Sequence, residues 1–317
     1  MRKFLTVVAA LVLAVVLVIG IGQWVNRGPD DSAGPGPGPG PGPGPTRTTD
    51  PEQPASCPDY QLFAAPGTWE STEDDDPIHP SSRPHSLLLN VTRPLQEEFG
   101  DGVDGGQLKS WTLPYAAQFR NIQALREMSY DDSRNQGYAR LEAEMTSVHE
   151  ACPATRMILV GFSQGAVLTG DLATAIGNGD STVPADAVAG VALIADGRRE
   201  DGKGELVGSP DVTGIGAEIA LSSVGPLVAP IVPGASMRGP RPQDFGALQD
   251  STLQFCAPAD LVCSAPRDIG NAVQRANDLI DANKVHAQYS SNGTVVGGGT
   301  VPEWINNWVR DIIAEGR

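Results

Sequence analysis

The residues in this chain best suited to chemistry are a serine between two glycines, one downstream histidine and a carboxylate to orient it. Ser163 stands in Gly161-Phe162-Ser163-Gln164-Gly165, a Gly-x-Ser-x-Gly run preceded by the apolar stretch Met157 to Val160 and followed by the small-residue run Ala166 to Ile176. Strand, sharp turn and helix in that order predict a nucleophile elbow, in which a strained turn lifts the serine hydroxyl above the sheet. The N–H of Gln164, in the first helical turn, lacks an intrahelical acceptor and is placed to stabilise an oxyanion. A serine hydroxyl attacks only when a histidine takes its proton and an acid orients that histidine.

In an α/β-hydrolase the order along the chain is Ser, then acid, then His. Of the four histidines, His79, His85 and His149 precede Ser163, so this order selects His286 as the base. Without the elbow His286 would read as a surface residue closing the helical run Asp268 to Lys284. Two carboxylates compete for the role of acid. Asp196 follows Val191-Ala192-Leu193-Ile194, at the end of a predicted strand, where open α/β sheets place functional groups. Asp260 follows Leu253-Gln254-Phe255 and lies between Cys256 and Cys263, where a disulfide would hold it rigidly. Rigidity favours Asp260, with Asp196→Asn expected to do little.

The elements that must position these groups alternate. Tyr60 to Ala64, Leu108 to Leu113, Met157 to Val160 and Val191 to Ile194 read as strands. Tyr138, Leu141, Met145 and Val148 fall at helical spacing after an acidic Asp131-Asp132 opening and before Cys152-Pro153. Pro84 to Phe99 is ambiguous, because it contains Pro94. Trp304, Ile305, Trp308 and Ile312 mark the core face of a C-terminal helix. Alternation of this kind predicts an α/β fold, a central mostly parallel sheet flanked by helices on both faces. Cys57 and Cys152 each stand just before a predicted strand, at one edge of such a sheet, and Cys256 and Cys263 at the other. That geometry favours the pairs Cys57–Cys152 and Cys256–Cys263.

Gly161-Phe-Ser163-Gln164-Gly165-Ala166, Cys256-x-x-x-Asp260-x-Val262-Cys263 and the later His286 together resemble the cutinase family of serine esterases over roughly Ser56 to the C-terminus. The resemblance is nearest to actinobacterial, membrane-anchored cutinase-like lipases, phospholipases and thioesterases of mycolic-acid envelopes. It implies a cutinase-like α/β-hydrolase fold, the triad Ser163, Asp260 and His286, and the same two disulfides. Ala65-Pro66-Gly67-Thr68-Trp69-Glu70 matches the family's turn for a second oxyanion donor, which implies that Thr68 joins Gln164 in the oxyanion hole.

The 317 residues carry 22 Lys plus Arg against 38 Asp plus Glu, a formal charge of −16. A surface of that sign repels nucleic acid and argues against a polybasic membrane-binding face. Met1-Arg2-Lys3 precedes an uncharged apolar run from Phe4 to about Trp24, long enough to cross a bilayer core of about 30 Å, with no Ala-x-Ala site after it. Residues 1–26 are therefore expected to be an uncleaved transmembrane anchor, the alternative being a cleaved leader and secretion to the cell wall. Residues 27–55 form a Gly/Pro-rich linker whose Gly-Pro alternation, Gly34 to Pro45, favours extended polyproline II, at most roughly 37 Å over those twelve residues. Residues 56–317 are the hydrolase domain. Within it, 198–250 exceeds what a compact cutinase carries between these strands and is expected near the active-site rim as a lid or acyl-chain groove, or else as an inert excursion.

The expected function is an exported, envelope-associated serine hydrolase of lipid esters or thioesters, of esterase/lipase, phospholipase A or thioesterase type, working as a monomer without metal or cofactor. The alternatives are a short-chain acetyl-ester or cutin-type esterase, and an acyltransferase or a silent lipid-binding protein on the same fold.

Overall fold

The computed structural model describes residues 53–100, 106–208, 211–267 and 284–316. The expected anchor, nearly all of the linker and, except for Lys284, the predicted helical run Asp268 to Lys284 lie outside these residues. Among the described residues no helix is long and apolar enough to cross a membrane.

Six strands form one sheet: β1 (Tyr60–Ala65), β2 (Leu108–Thr112), β3 (Arg156–Phe162), β4 (Val188–Ile194), β5 (Glu205–Leu206) and β6 (Thr252–Phe255). Their order is β2-β1-β3-β4-β6-β5, and every pairing is parallel. A parallel sheet is covered on both faces, so its strands read as continuous apolar runs with alternate residues serving opposite sides. Leu62, Ile158, Val160 and Ile194 face one apolar layer with Val91, Leu95, Val301, Ile305, Val309 and Ile312. Phe63, Leu159, Val191 and Leu193 face the other, with Leu141, Met145, Leu168 and Leu172.

Three helices dress the catalytic half. Helix α1 (Leu89–Phe99) forms in spite of Pro94. Proline there leaves the Asn90 carbonyl without its helical donor, and the side-chain amide of Asn306 supplies one at 3.0 Å. Helix α2 (Tyr130–Ala151) starts one residue before the acidic pair, capped by the Ser129 side chain accepting from the Asp132 N–H. Helix α3 (Gln164–Gly177) is buried almost throughout. Residues 211–250 contribute two single turns, α4 (Ala217–Ala220) and α5 (Gly225–Val228). Helix α6 (Val301–Glu315) closes the fold with a complete capping box between Thr300 and Glu303. Its core face is Val301, Ile305, Val309 and Ile312, while Trp304 and Trp308 are only partly buried. Both rings still pack on the sheet: Trp308 lies over Gly190 of β4, and Trp304 meets Phe255 edge-on at 5.1 Å.

The cysteines pair as Cys57–Cys152, with Cα atoms 5.7 Å apart, and Cys256–Cys263, 5.9 Å apart. The first lies at the N-terminal ends of β1 and β3, the second just beyond the C-terminal end of β6.

Candidate active site

Ser163 follows β3 directly, and its N–H donates to Ile194 O at 2.9 Å, tying the turn to β4. Its backbone has φ 54° and ψ −118°, a region a side chain occupies only when the surroundings impose it. The flanking glycines are required by close approach. A Cβ on Gly161 would come within 2.6 Å of the Gly165 carbonyl, and one on Gly165 would run into the Ala65 carbonyl.

Three elements bring the remaining groups to the same sheet edge. The Ser163 Oγ lies 2.9 Å from His286 Nε2, and His286 Nδ1 lies 2.9 Å from Asp260 Oδ2. A carboxylate on Nδ1 fixes the proton there and leaves Nε2 to accept from the serine. The imidazole is stacked on Phe162, centroids 5.0 Å apart at 23°.

Asp260 is fully buried. Its Oδ1 accepts the Val262 N–H at 2.9 Å, and its own N–H and carbonyl bond Ala257 and Ser264 within the loop. Fully buried Arg199 braces that loop, donating to Cys263 O at 2.8 Å and to Gly214 O. Asp196, the competing carboxylate, is equally buried but points into a different network. Arg241 engages it at 2.6 and 3.1 Å, and the Arg198 N–H donates to Oδ1 at 2.9 Å. The structure thus places Asp260, not Asp196, against the histidine.

The Gly67-Thr68 turn follows β1. Thr68 and Gln164 line the same cavity as Ser163. The turn is held by Glu70, whose carboxylate accepts from the N–H groups of Gly67 at 3.3 Å and Leu87 at 3.1 Å. Burial raises the pKa of Glu70 in spite of these bonds. The Gln164 side chain is fixed as well, accepting from Ser133 Oγ and donating to Gln118 O.

Tyr289 is a site residue that sequence reasoning missed, while Glu70 stood in the matched turn without a role assigned to it. Tyr289 follows His286 by three residues, one turn further along the 3₁₀ segment His286–Gln288; that spacing was the available signal.

The cavity over Ser163 holds about 330 Å³ and is walled mainly by apolar groups, among them Phe119, Phe162, Val167, Met237 and Val262. The described residues contain no cluster of His, Cys, Asp and Glu arranged to hold a metal ion.

The family model for cutinase matches residues 88–295. A carboxylesterase Culp6 homolog of Corynebacterium glutamicum is 49% identical over 317 residues, covering the whole of both chains.

The chain belongs to the cutinase family.

A cutinase of Kineococcus radiotolerans is 27% identical over 247 residues, 77% of this chain and 60% of that protein. Among solved structures, an acetylxylan esterase aligns with 81% of this chain and 100% of its own, at 17% identity and a TM-score of 0.47. As a member of the cutinase family the chain is a carboxylic ester hydrolase, built on a parallel sheet flanked by helices. Within the segment 198–250, an apolar cluster of its own is formed. Leu221, Val224 and Val228 pack on one another and on Ile231 and Met237, because clustering removes their apolar surface from water. Of residues 214–232, only Ala217 and Glu218 line the cavity.

Proposed function

We propose that the chain hydrolyses lipid esters or thioesters through an acyl-enzyme on Ser163, as an exported protein held at the outer face of the cytoplasmic membrane. The observation that carries this reading is the line Ser163–His286–Asp260, with 2.9 Å at both contacts, opening on an apolar cavity of about 330 Å³. His286 Nε2 takes the serine proton as Oγ bonds to the acyl carbon. The N–H groups of Thr68 and Gln164 receive the oxyanion that forms. His286 then protonates the departing alkoxide or thiolate, leaving an acyl-serine. A water molecule, losing its proton to the same nitrogen, attacks the acyl carbon, and the serine recovers its proton as the carboxylic acid leaves.

An acyl chain of several carbons suits such walls, since each buried methylene contributes about 0.8 kcal/mol. The anchor reading is supported by the apolar run Phe4 to Trp24 followed by a Gly-Pro tether, and by the two disulfides, which persist in oxidising compartments. The test compares turnover on phospholipid, acyl-thioester and p-nitrophenyl ester substrates of increasing chain length, with Ser163→Ala as control. Long-chain lipid turnover that vanishes in Ser163→Ala is expected. Activity confined to acetyl and butyryl esters would replace this reading with a short-chain esterase.

A further inference from the structure

The inserted segment reaches the cavity at three residues, Ala217, Glu218 and Met237. Glu218 presents no free charge there. Its Oε1 accepts from the Tyr130 hydroxyl at 2.7 Å and its Oε2 from Arg238 Nε at 3.0 Å. Arg238 also binds Asp171 of helix α3 at 2.6 Å, and Asp171 binds Arg198 at 2.8 Å and Arg241 at 2.9 Å. Arg241 in turn grips Asp196 at the end of β4. Three guanidinium groups and three carboxylates therefore bolt the insertion to helix α3, which follows Ser163 directly, and to the neighbouring strand. Displacing any member would strand a buried charge, so the arrangement holds one geometry.

Met237 is the residue immediately before Arg238 and is fixed by that clamp. One side of it faces the cavity, and it packs against the cluster of Leu221, Val224 and Val228. A single unbranched, flexible thioether thus forms this stretch of the cavity wall, backed by a packed aliphatic cluster.

We infer that Met237 is the partition that sets the acyl-chain length the enzyme accepts, and that the insertion is a pinned wall of the site rather than a lid. The inference rests on the acyl-enzyme reading above. Shortening residue 237 lengthens the cavity towards that cluster by the volume of the side-chain atoms removed, and each further methylene taken up there is worth about fourfold in selectivity, the factor equivalent to its transfer free energy. Enlarging residue 237 shortens the site.

The experiment uses the full chain in detergent micelles, as wild type, Met237→Ala and Met237→Trp. The ratio of kcat/KM for long over short p-nitrophenyl esters is measured, with the competent fraction counted by a fluorophosphonate probe. Met237→Ala should raise the long-to-short ratio about fourfold for each added methylene accommodated, and Met237→Trp should lower it. Equal ratios in three fully labelled proteins would overturn the partition while leaving the serine hydrolase intact. Absence of labelling in the wild type, or turnover surviving in Ser163→Ala, would bring down the acyl-enzyme reading and this inference with it. A variant-free measurement guards against misfolding. A long alkyl phosphonate on Ser163 should shield Met237 from oxidation by peroxide, read by mass spectrometry, where a methyl phosphonate leaves it reactive. Equal oxidation under both would also refute the partition.

Discussion

The Tyr289 hydroxyl donates at 2.8 Å to Asp260 Oδ2, the same oxygen that meets His286 Nδ1. The phenol oxygen also accepts the Ala257 N–H at 3.0 Å, so a backbone amide, a phenol, the carboxylate, the imidazole and the serine form one continuous hydrogen-bonded line. Burial, together with the adjacent Asp260 charge, pushes the Tyr289 pKa upward, which keeps the phenol a donor across the working pH range.

Tyr289→Phe removes the donor without changing the packing against Phe162. Hydrogen bonds to charged groups contribute about 1.5–3 kcal/mol. That amount should divide between stability and turnover, and kcat should fall about tenfold or more while KM changes little. Unchanged kcat with a lowered Tm would make the phenol a purely structural brace.

Asp260→Asn and Asp196→Asn should separate by phenotype. The first disturbs the tautomer of His286 and should lower kcat by roughly 10⁴-fold, as in other triads. The second is expected from sequence to do little to turnover, and its burial adds an effect on stability. Asp196 is a fully buried partner of Arg241, and breaking such a pair costs about 3–5 kcal/mol. Asp196→Asn should therefore lower the denaturation midpoint strongly while its remaining folded fraction stays active. Paired urea titrations and active-site-normalised rates test both.

The two disulfides should show opposite rankings in stability and rate. Cys57–Cys152 spans 95 residues, and its closure entropy is about 4–5 kcal/mol; Cys256–Cys263 spans 7, worth about 2–3 kcal/mol. Replacing the first pair by serine should cost more stability. Replacing the second should cost more turnover, because it loosens the loop that holds Asp260.

Asp171 gives stability a defined acid limit. Burial alone would raise its pKa, but the guanidinium groups of Arg241, Arg238 and Arg198 hold it below the ordinary 3.8. With a depressed folded pKa, the unfolded chain binds the proton first. The contribution is complete above about 3.8 and disappears as pH falls through the folded value. Asp171→Asn should be less stable than wild type by about 3–5 kcal/mol at pH 7. The gap should narrow at pH 3, measured by urea midpoints; a gap independent of pH would show that the ion pairs do not hold the insertion.

Much of the fold and half of the site could be read from contiguous residues. Gly161 to Gly165, with a strand before and a helix after, determines the elbow, because local backbone sterics and apolar periodicity act between near neighbours. Chain order then singles out His286, and the positions of the cysteines before and after predicted strands match the pairs formed. The cysteine-bounded loop and the family resemblance favour Asp260 over Asp196 already in the sequence, but only the tertiary structure gives each carboxylate its partner. Both follow apolar strands and both are buried, and what distinguishes them is Arg241, 45 residues beyond Asp196, against His286, 26 residues beyond Asp260. The same holds for Tyr289 on the triad, for Asn306 on the carbonyl freed by Pro94, and for Arg238 clamping the insertion. A buried polar group must find a partner wherever the folded chain supplies one. The apolar pattern decides which elements meet, and only their packing decides which charges and hydroxyls are left facing each other.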